Sequence, residues 1–150
     1  MTTVKKMFLD WKGNFRFVAK NEKGLSVGFD APSEYGGEDA ALSPMETVLA
    51  SLAACTSFDL VKILRKKRQK LSGYSVELEA QRRDEPPEIF TLIYMKYIIK
   101  GENISKEAVK RAIQLSYEKY CSVGAMLKPT VPITTSYEAC PDHLLYGKLP

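Results

Sequence analysis

Along the first thirty residues, short apolar runs are cut by turn residues, the pattern of strands rather than helices. Val4 to Trp11 contains Met7, Phe8 and Leu9, and Gly13-Asn14 suits a tight turn after it. Phe15 to Lys20 puts Phe15, Phe17 and Ala19 on one side. Asn21 to Gly24 turns the chain again, and Leu25 to Phe29 alternates cleanly. This predicts a three-stranded antiparallel meander. From Asp30 to Leu42 the periodicity is lost, and Pro32, Ser33, Gly36 and Gly37 mark a loop of about a dozen residues, a length at which unstructured loops are often functional.

The period changes at Ser43. Ser43 at the N-cap, Pro44 in the first helical position and Glu46 in the third make a capping box, so a helix is expected from there to about Lys70. From Met45 to Ala54 it is apolar or small almost all round, which predicts burial on every side. Its last turns, Arg65 to Lys70, carry cations that complement the negative end of the helix dipole. Tyr74 to Ala80 returns to period two, Asp84 to Pro87 turns, and Ile89 to Ile99 is apolar on both faces, as in a central strand. A second helix is expected from Ser105 to Tyr120, with a further helical turn from Cys121 to Leu127 ended by Pro129. Val131 to Ala139, which contains Pro132, reads as an edge strand. The order is βββ–α–ββ–α–β, an α+β fold in one domain, residues 1–150.

With 45% hydrophobic and 27% charged residues in 150, composition excludes a disordered, fibrous or disulfide-scaffold protein. The longest apolar stretch is broken by Glu46, Asp59 and Lys62, short of the roughly 18 uncharged residues that signal a membrane span. Met1 to Lys6 is followed by Asp10 and Lys12 rather than a signal-peptide core. The expectation is a cytoplasmic protein with no membrane partner. Lysine and arginine total 22 against 18 acids, a net +4 that falls short of a dedicated nucleic-acid binder. Three cysteines, Cys55, Cys121 and Cys140, with a lone His143 and no CxxC or HExxH, predict neither a secreted disulfide framework nor a zinc site.

Four features remain as candidate chemistry. Cys55, inside the apolar helix, is either a small core side chain or a nucleophile. Cys121 opens a short helix, where backbone N–H groups and the dipole favour thiolate; Cys140 reads as a bystander. Glu46 is either the cap partner of Ser43 or an active-site carboxylate. At roughly 100° per residue, nine residues put it about half a turn out of phase with Cys55, which favours the cap. The cations from Arg65 to Lys70 are either a solvated helix end or an anion-binding patch, and they lack the interleaved aromatics of a base-stacking surface.

The run Ser43-Pro44-Met45-Glu46-Thr47-Val48-Leu49-Ala50-Ser51-Leu52-Ala53-Ala54-Cys55-Thr56-Ser57-Phe58-Asp59 resembles the long central helix of the OsmC/Ohr family. Tyr120-Cys121-Ser122-Val123, after the Ser105 helix, is similar to that family's second cysteine motif. The start of the helix is nearer the OsmC-like branch than the hydroperoxide-resistance branch. The resemblance implies an intertwined homodimer, with six-stranded sheets wrapped around back-to-back central helices and two sites at the subunit interface. It implies a thiol peroxidase in which Cys55 attacks the peroxide and becomes sulfenic acid, Cys121 resolves it to a disulfide, and an external dithiol reduces the enzyme. No metal or organic cofactor is implied. Three positions differ from the family's pattern: the glutamate of the hydroperoxide-resistance branch falls on Met45, with Glu46 one residue on; its arginine has no counterpart, Asn14 or Phe15 standing there with Arg16 only a neighbour; and Ser122 follows Cys121 where many members have proline.

The residues and the resemblance together leave three functional expectations. The first is a thiol-dependent peroxidase acting on organic hydroperoxides or hydrogen peroxide through Cys55 and Cys121, with Glu46 as a further catalytic candidate. The second is an OsmC-fold, stress-associated binding protein with little or no turnover. The third is a nucleic-acid-associated dimer using Arg65 to Lys70.

Overall fold

The computed structural model describes residues 2–141, so His143 lies outside the described residues. The chain falls into two compact units, residues 1–50 and 51–150. In the first, β1 (Met7–Trp11), β2 (Phe17–Asn21) and β3 (Ser26–Phe29) form the expected antiparallel meander, with Ala19 opposite both Leu9 and Val27. Phe15 lies in the first turn rather than in β2. The Arg16 amide closes on the Gly13 carbonyl at 2.9 Å, with Gly13 and Asn14 both at positive φ.

The long loop is organised around one carboxylate. Asp30, 2% exposed, accepts from the Ala31 amide at 2.8 Å, the Ala40 amide at 3.0 Å and the Glu38 amide at 3.1 Å. The Ala40 amide above all, with the other two and the Arg16 charge, holds its carboxyl below the usual range against the cost of burial. A 3-10 turn, Ser33–Tyr35, fills the middle. A Cβ on Gly37 would lie 1.7 Å from the Ala31 carbonyl oxygen, so only glycine lets the loop close.

Helix α1 (Pro44–Lys66) starts as its sequence dictates. The Ser43 amide donates to Glu46 Oε2 at 2.7 Å, and the Glu46 amide donates to Ser43 Oγ at 3.3 Å. It ends four residues earlier than expected. Arg68 takes the left-handed conformation, φ 57°, and the Gln69 and Arg68 amides donate to the Leu64 and Arg65 carbonyls, both at 2.9 Å. These paired bonds are a Schellman stop built without glycine. Nor is α1 covered on every side. Leu52, Thr56, Leu60 and Leu64 are buried, while Ala50, Ala54, Phe58 and Lys62 form an exposed stripe on the opposite side. By length and composition α1 is the described helix apolar enough to cross a membrane, although Glu46, Asp59 and Lys62 lie within it.

In the second unit β4 (Gly73–Arg82) pairs antiparallel with β5 (Phe90–Lys100), and β6 (Ile133–Cys140) pairs parallel on the other edge of β5. A parallel partner requires a crossover. It is made by α2 (Lys106–Leu115), a π-helical turn (Ser116–Tyr120) and α3 (Ser122–Leu127). Ser105 caps α2 by accepting the Ala108 amide at 3.2 Å. The core joins Leu60 and Leu64 to Ile93, Met95, Ile99 and Val109, all fully buried. Each such side chain contributes roughly 1.5–3 kcal/mol by leaving water.

Candidate functional site

Two cysteines 66 residues apart in sequence come together in the second unit. Cys55 sits on α1 at the flank of the buried stripe, half-buried; Cys121 is 3% exposed, and both are free thiols. Cys121 is the N-cap of α3, its Sγ accepting the Gly124 amide at 3.2 Å. A Cβ on Gly124 would stand 3.2 Å from that sulfur and 3.8 Å from Leu52 Cδ1, so the third residue of α3 is small because the thiol and α1 approach it closely.

The position of Cys121 is set by the turn before it. The Cys121 amide donates to the Ser116 carbonyl at 2.9 Å, an i to i+5 bond that inserts one extra residue into the helix and re-aims the chain beyond it. The buried Ser116 is tied in turn to α1, its Oγ donating to Asp59 Oδ2 at 2.8 Å. Asp59 lies one helical turn beyond Cys55. The same helix that carries one thiol therefore anchors the turn that carries the other.

Burial sets the ionisation of Cys121. Desolvation pushes its thiol up to about 11, the Gly124 amide opposes this, and the neighbouring Cys55 thiol and the Asp59 charge add to the rise. The helix-terminus argument predicted a lowered value; burial outweighs it. Beneath the thiols lies a row of hydroxyls. Thr56 Oγ1 and Ser57 Oγ both donate to the Ala53 carbonyl, at 3.0 and 2.5 Å, and the Tyr74 hydroxyl donates to Ser57 Oγ at 2.9 Å. Tyr97, 2% exposed, bonds through its hydroxyl to the Thr56 side chain. Burial first, against the Thr56 bond and with the nearby Cys121 and Asp59 charges, raises its pKa; burial likewise raises that of Tyr74.

Beside this cluster opens a cavity of about 370 Å³. Asp59, Ile63, Leu115 and Tyr120 line it, together with Lys62, Lys66 and Lys67. The other sequence candidates stand elsewhere in the chain. Glu46, exposed, is engaged in the capping box, and the Ser43 amide foremost, with the Ser43 hydroxyl, lowers its pKa. Cys140, at the end of β6, contacts the Ile99 carbonyl at 3.9 Å. Arg16 is exposed and its charge acts on Asp30. Among the described residues no cluster of three His, Cys, Asp or Glu is placed to hold a metal. Sequence reasoning missed Thr56, Ser57, Asp59, Tyr97 and Ser116. A signal for the first three was present: polar residues one, two and four positions after Cys55 in an otherwise apolar helix.

A long helix carrying one thiol, and a crossover that delivers a second to it across a three-stranded sheet, define an α+β protein with paired cysteines. The chain belongs to the OsmC-like protein family, whose model matches residues 36–136 and so includes both cysteines. The Escherichia coli K12 protein named YhfA is 41% identical over 128 residues, 85% of this chain and 92% of that protein. Among solved structures, a hypothetical protein from Aquifex aeolicus VF5 is 33% identical with a TM-score of 0.82, covering 94% of this chain and 99% of that one. An organic hydroperoxide resistance protein from Legionella pneumophila is 16% identical with a TM-score of 0.69, covering 92% and 98%; this likeness is one of fold.

Proposed function

We propose that the protein is a thiol-dependent peroxidase that reduces organic hydroperoxides or hydrogen peroxide through Cys55 and Cys121. The observation that carries this reading is the apposition of a half-buried and a fully buried free thiol from distant parts of the chain. Cys55 thiolate attacks the terminal peroxide oxygen; the O–O bond breaks, the alkoxide leaves and takes up the proton that the Cys55 thiol released on ionising, and Cys55 becomes sulfenic acid. Cys121, protonated at neutral pH, then attacks that sulfur. An S–S bond forms, and its proton leaves with the hydroxide as water. An external dithiol reduces the disulfide by exchange. The Legionella protein named for hydroperoxide resistance, which shares the fold, supports the reading.

The reading includes a cytoplasmic homodimer, the six-stranded sheets of the resemblance then drawing strands from two copies. Its support is the uncovered apolar surface: Phe58 is 77% exposed on α1, and Met7, Phe8, Leu9 and Trp11 are exposed on β1. An obligate interface would exceed roughly 2,000 Å²; a monodisperse monomer at micromolar concentration in sedimentation would refute it. Glu46 enters this reading as the helix cap.

The test is peroxide consumption with dithiothreitol, comparing hydrogen peroxide with a bulky alkyl hydroperoxide. One equivalent of peroxide should remove two thiols and leave Cys140 free. Cys121→Ser should trap sulfenic acid on Cys55, and Cys55→Ser should abolish consumption. Absence of turnover with both peroxides would refute the peroxidase and leave a binding protein.

A further inference from the structure

The cavity beside the thiols combines features that neither the fold nor the redox cycle requires. Ile63 and Leu115 supply apolar wall and Tyr120 an aromatic face, while Lys62, Lys66 and Lys67 supply three ammonium groups. Lys62 and Lys66 are successive turns of one side of α1, in phase with Ile63 and Asp59. The ion pairs among the described residues engage Lys6, Lys20, Arg82 and Lys96, and none of these three lysines. Asp59, which accepts the Ser116 hydroxyl, is the one carboxylate in the wall, so against three lysines the lining keeps a net positive charge. Cations at a helix C-terminus answer to the dipole, which accounts for Lys66 in the last turn of α1 but not for the apolar and aromatic lining that it shares with Lys62 and Lys67. At about 370 Å³ the space suits a small molecule. Two of its lining residues neighbour the thiols along the chain: Tyr120 precedes Cys121, and Asp59 lies one turn from Cys55.

We propose that this cavity binds an organic carboxylate, its head among Lys62, Lys66 and Lys67 and its apolar body against Ile63, Leu115 and Tyr120. A carboxylate ligand has two chemical sources at a thiol site, an acid carrying a hydroperoxide or an acid carrying a thiol. The assignment to the reaction rests on the peroxidase reading; the binding itself does not.

Binding is measured first on the reduced protein, without turnover, by calorimetry or ligand-observed NMR at low ionic strength. Octanoate is compared with neutral octanamide. Octanoate should bind at least tenfold more tightly, about 1.4 kcal/mol. In the triple variant Lys62→Gln, Lys66→Gln, Lys67→Gln the ratio of the two affinities should collapse toward one, as it should for the unaltered protein in about 1 M salt, where charges are screened within about 3 Å. Equal affinities in the unaltered protein, or an undiminished ratio in the triple variant, would overturn the proposal. A peroxidase that shows no octanoate preference refutes this inference alone; octanoate selectivity without turnover refutes the peroxidase alone. Steady-state kinetics then separate the two sources. A KM raised in the triple variant for a carboxylate-bearing hydroperoxide, relative to a neutral one, places the peroxide in the cavity. The same shift for a mercaptocarboxylate, relative to a mercaptoalcohol, places the reductant there. No shift for either would overturn the assignment to the reaction.

Discussion

Ser116 Oγ donates to Asp59 Oδ2 at 2.8 Å, joining residues 57 positions apart and holding the π-helical turn against the helix that bears Cys55. The bond stabilises and it also positions, because the Cys121 amide hangs from the Ser116 carbonyl. Ser116→Ala should lower stability by about 1–2 kcal/mol, since a buried hydroxyl and its charged partner are separated. It should also slow closure of the Cys55–Cys121 disulfide by diamide, an oxidant that needs no peroxidase activity. Denaturant midpoints and thiol titration give the two readouts. Disulfide closure at an unchanged rate would show that the turn is positioned by other contacts.

Burial of Cys121 predicts a pH effect of definite sign. Its thiol ionises near 9.0 when unperturbed and near about 11 in the folded chain. Between those values the unfolded chain releases its proton first, so the folded state binds more protons there and stability falls as pH rises. The contribution is fully present below pH 9 and is lost through 11. Chemical denaturation at pH 8, 9, 10 and 11 should show a decline that is shallower in Cys121→Ala, whose remaining slope belongs to the other groups.

Glu46 provides a direct contest between cap and catalyst. As the reciprocal partner of Ser43 it should tolerate Glu46→Gln at a cost below about 1 kcal/mol, because Gln also closes the box, and most peroxide consumption should remain. Its lowered pKa adds a second signature. The carboxylate's contribution is present above the ordinary glutamate range and is lost as pH falls through the folded value, so the Gln variant should lose that acid-side dependence. A tenfold fall in rate at unchanged melting temperature would return the carboxylate to the chemistry.

Arg68 occupies a conformation that glycine adopts without strain. Arg68→Gly should therefore raise stability by up to about 1 kcal/mol, the relief of left-handed strain less the entropy glycine adds to the unfolded chain. Thermal unfolding measures it. A lower melting temperature would mean that the Arg68 side chain holds the end of α1 by contacts worth more than the strain.

The features legible in the sequence were local ones. Ser43, Pro44 and Glu46 announce the start of α1 within four residues, and the alternation in β3 and in β4 needs no distant partner. The stop of α1 was not legible, because the left-handed residue is an arginine within a basic run rather than a glycine. One copy of the chain does not supply the expected cover of α1 on every side, since small residues such as Ala50 and Ala54 lie on its open face. In the site, the cysteines were visible as residue types and through their motif. Their environment depends on pairs such as Tyr97 with Thr56 and Ser116 with Asp59, which only the sheet and the crossover bring together. For Cys121 the local rule even had the wrong sign, since a helix start says nothing of how deeply the thiol is buried.

The parallel pairing of β6 with β5 also bears on how the chain is made. The β4–β5 hairpin closes over a short turn, whereas β6 docks only when the whole crossover through Cys121 has left the ribosome. Cys55 emerges 66 residues before Cys121. At about 5–20 residues per second it spends roughly 3–13 seconds of synthesis without its partner. A sulfenic acid formed in that interval has no internal thiol to rescue it and is open to irreversible over-oxidation. The newborn polypeptide is therefore most vulnerable to the oxidants that the finished protein is proposed to remove.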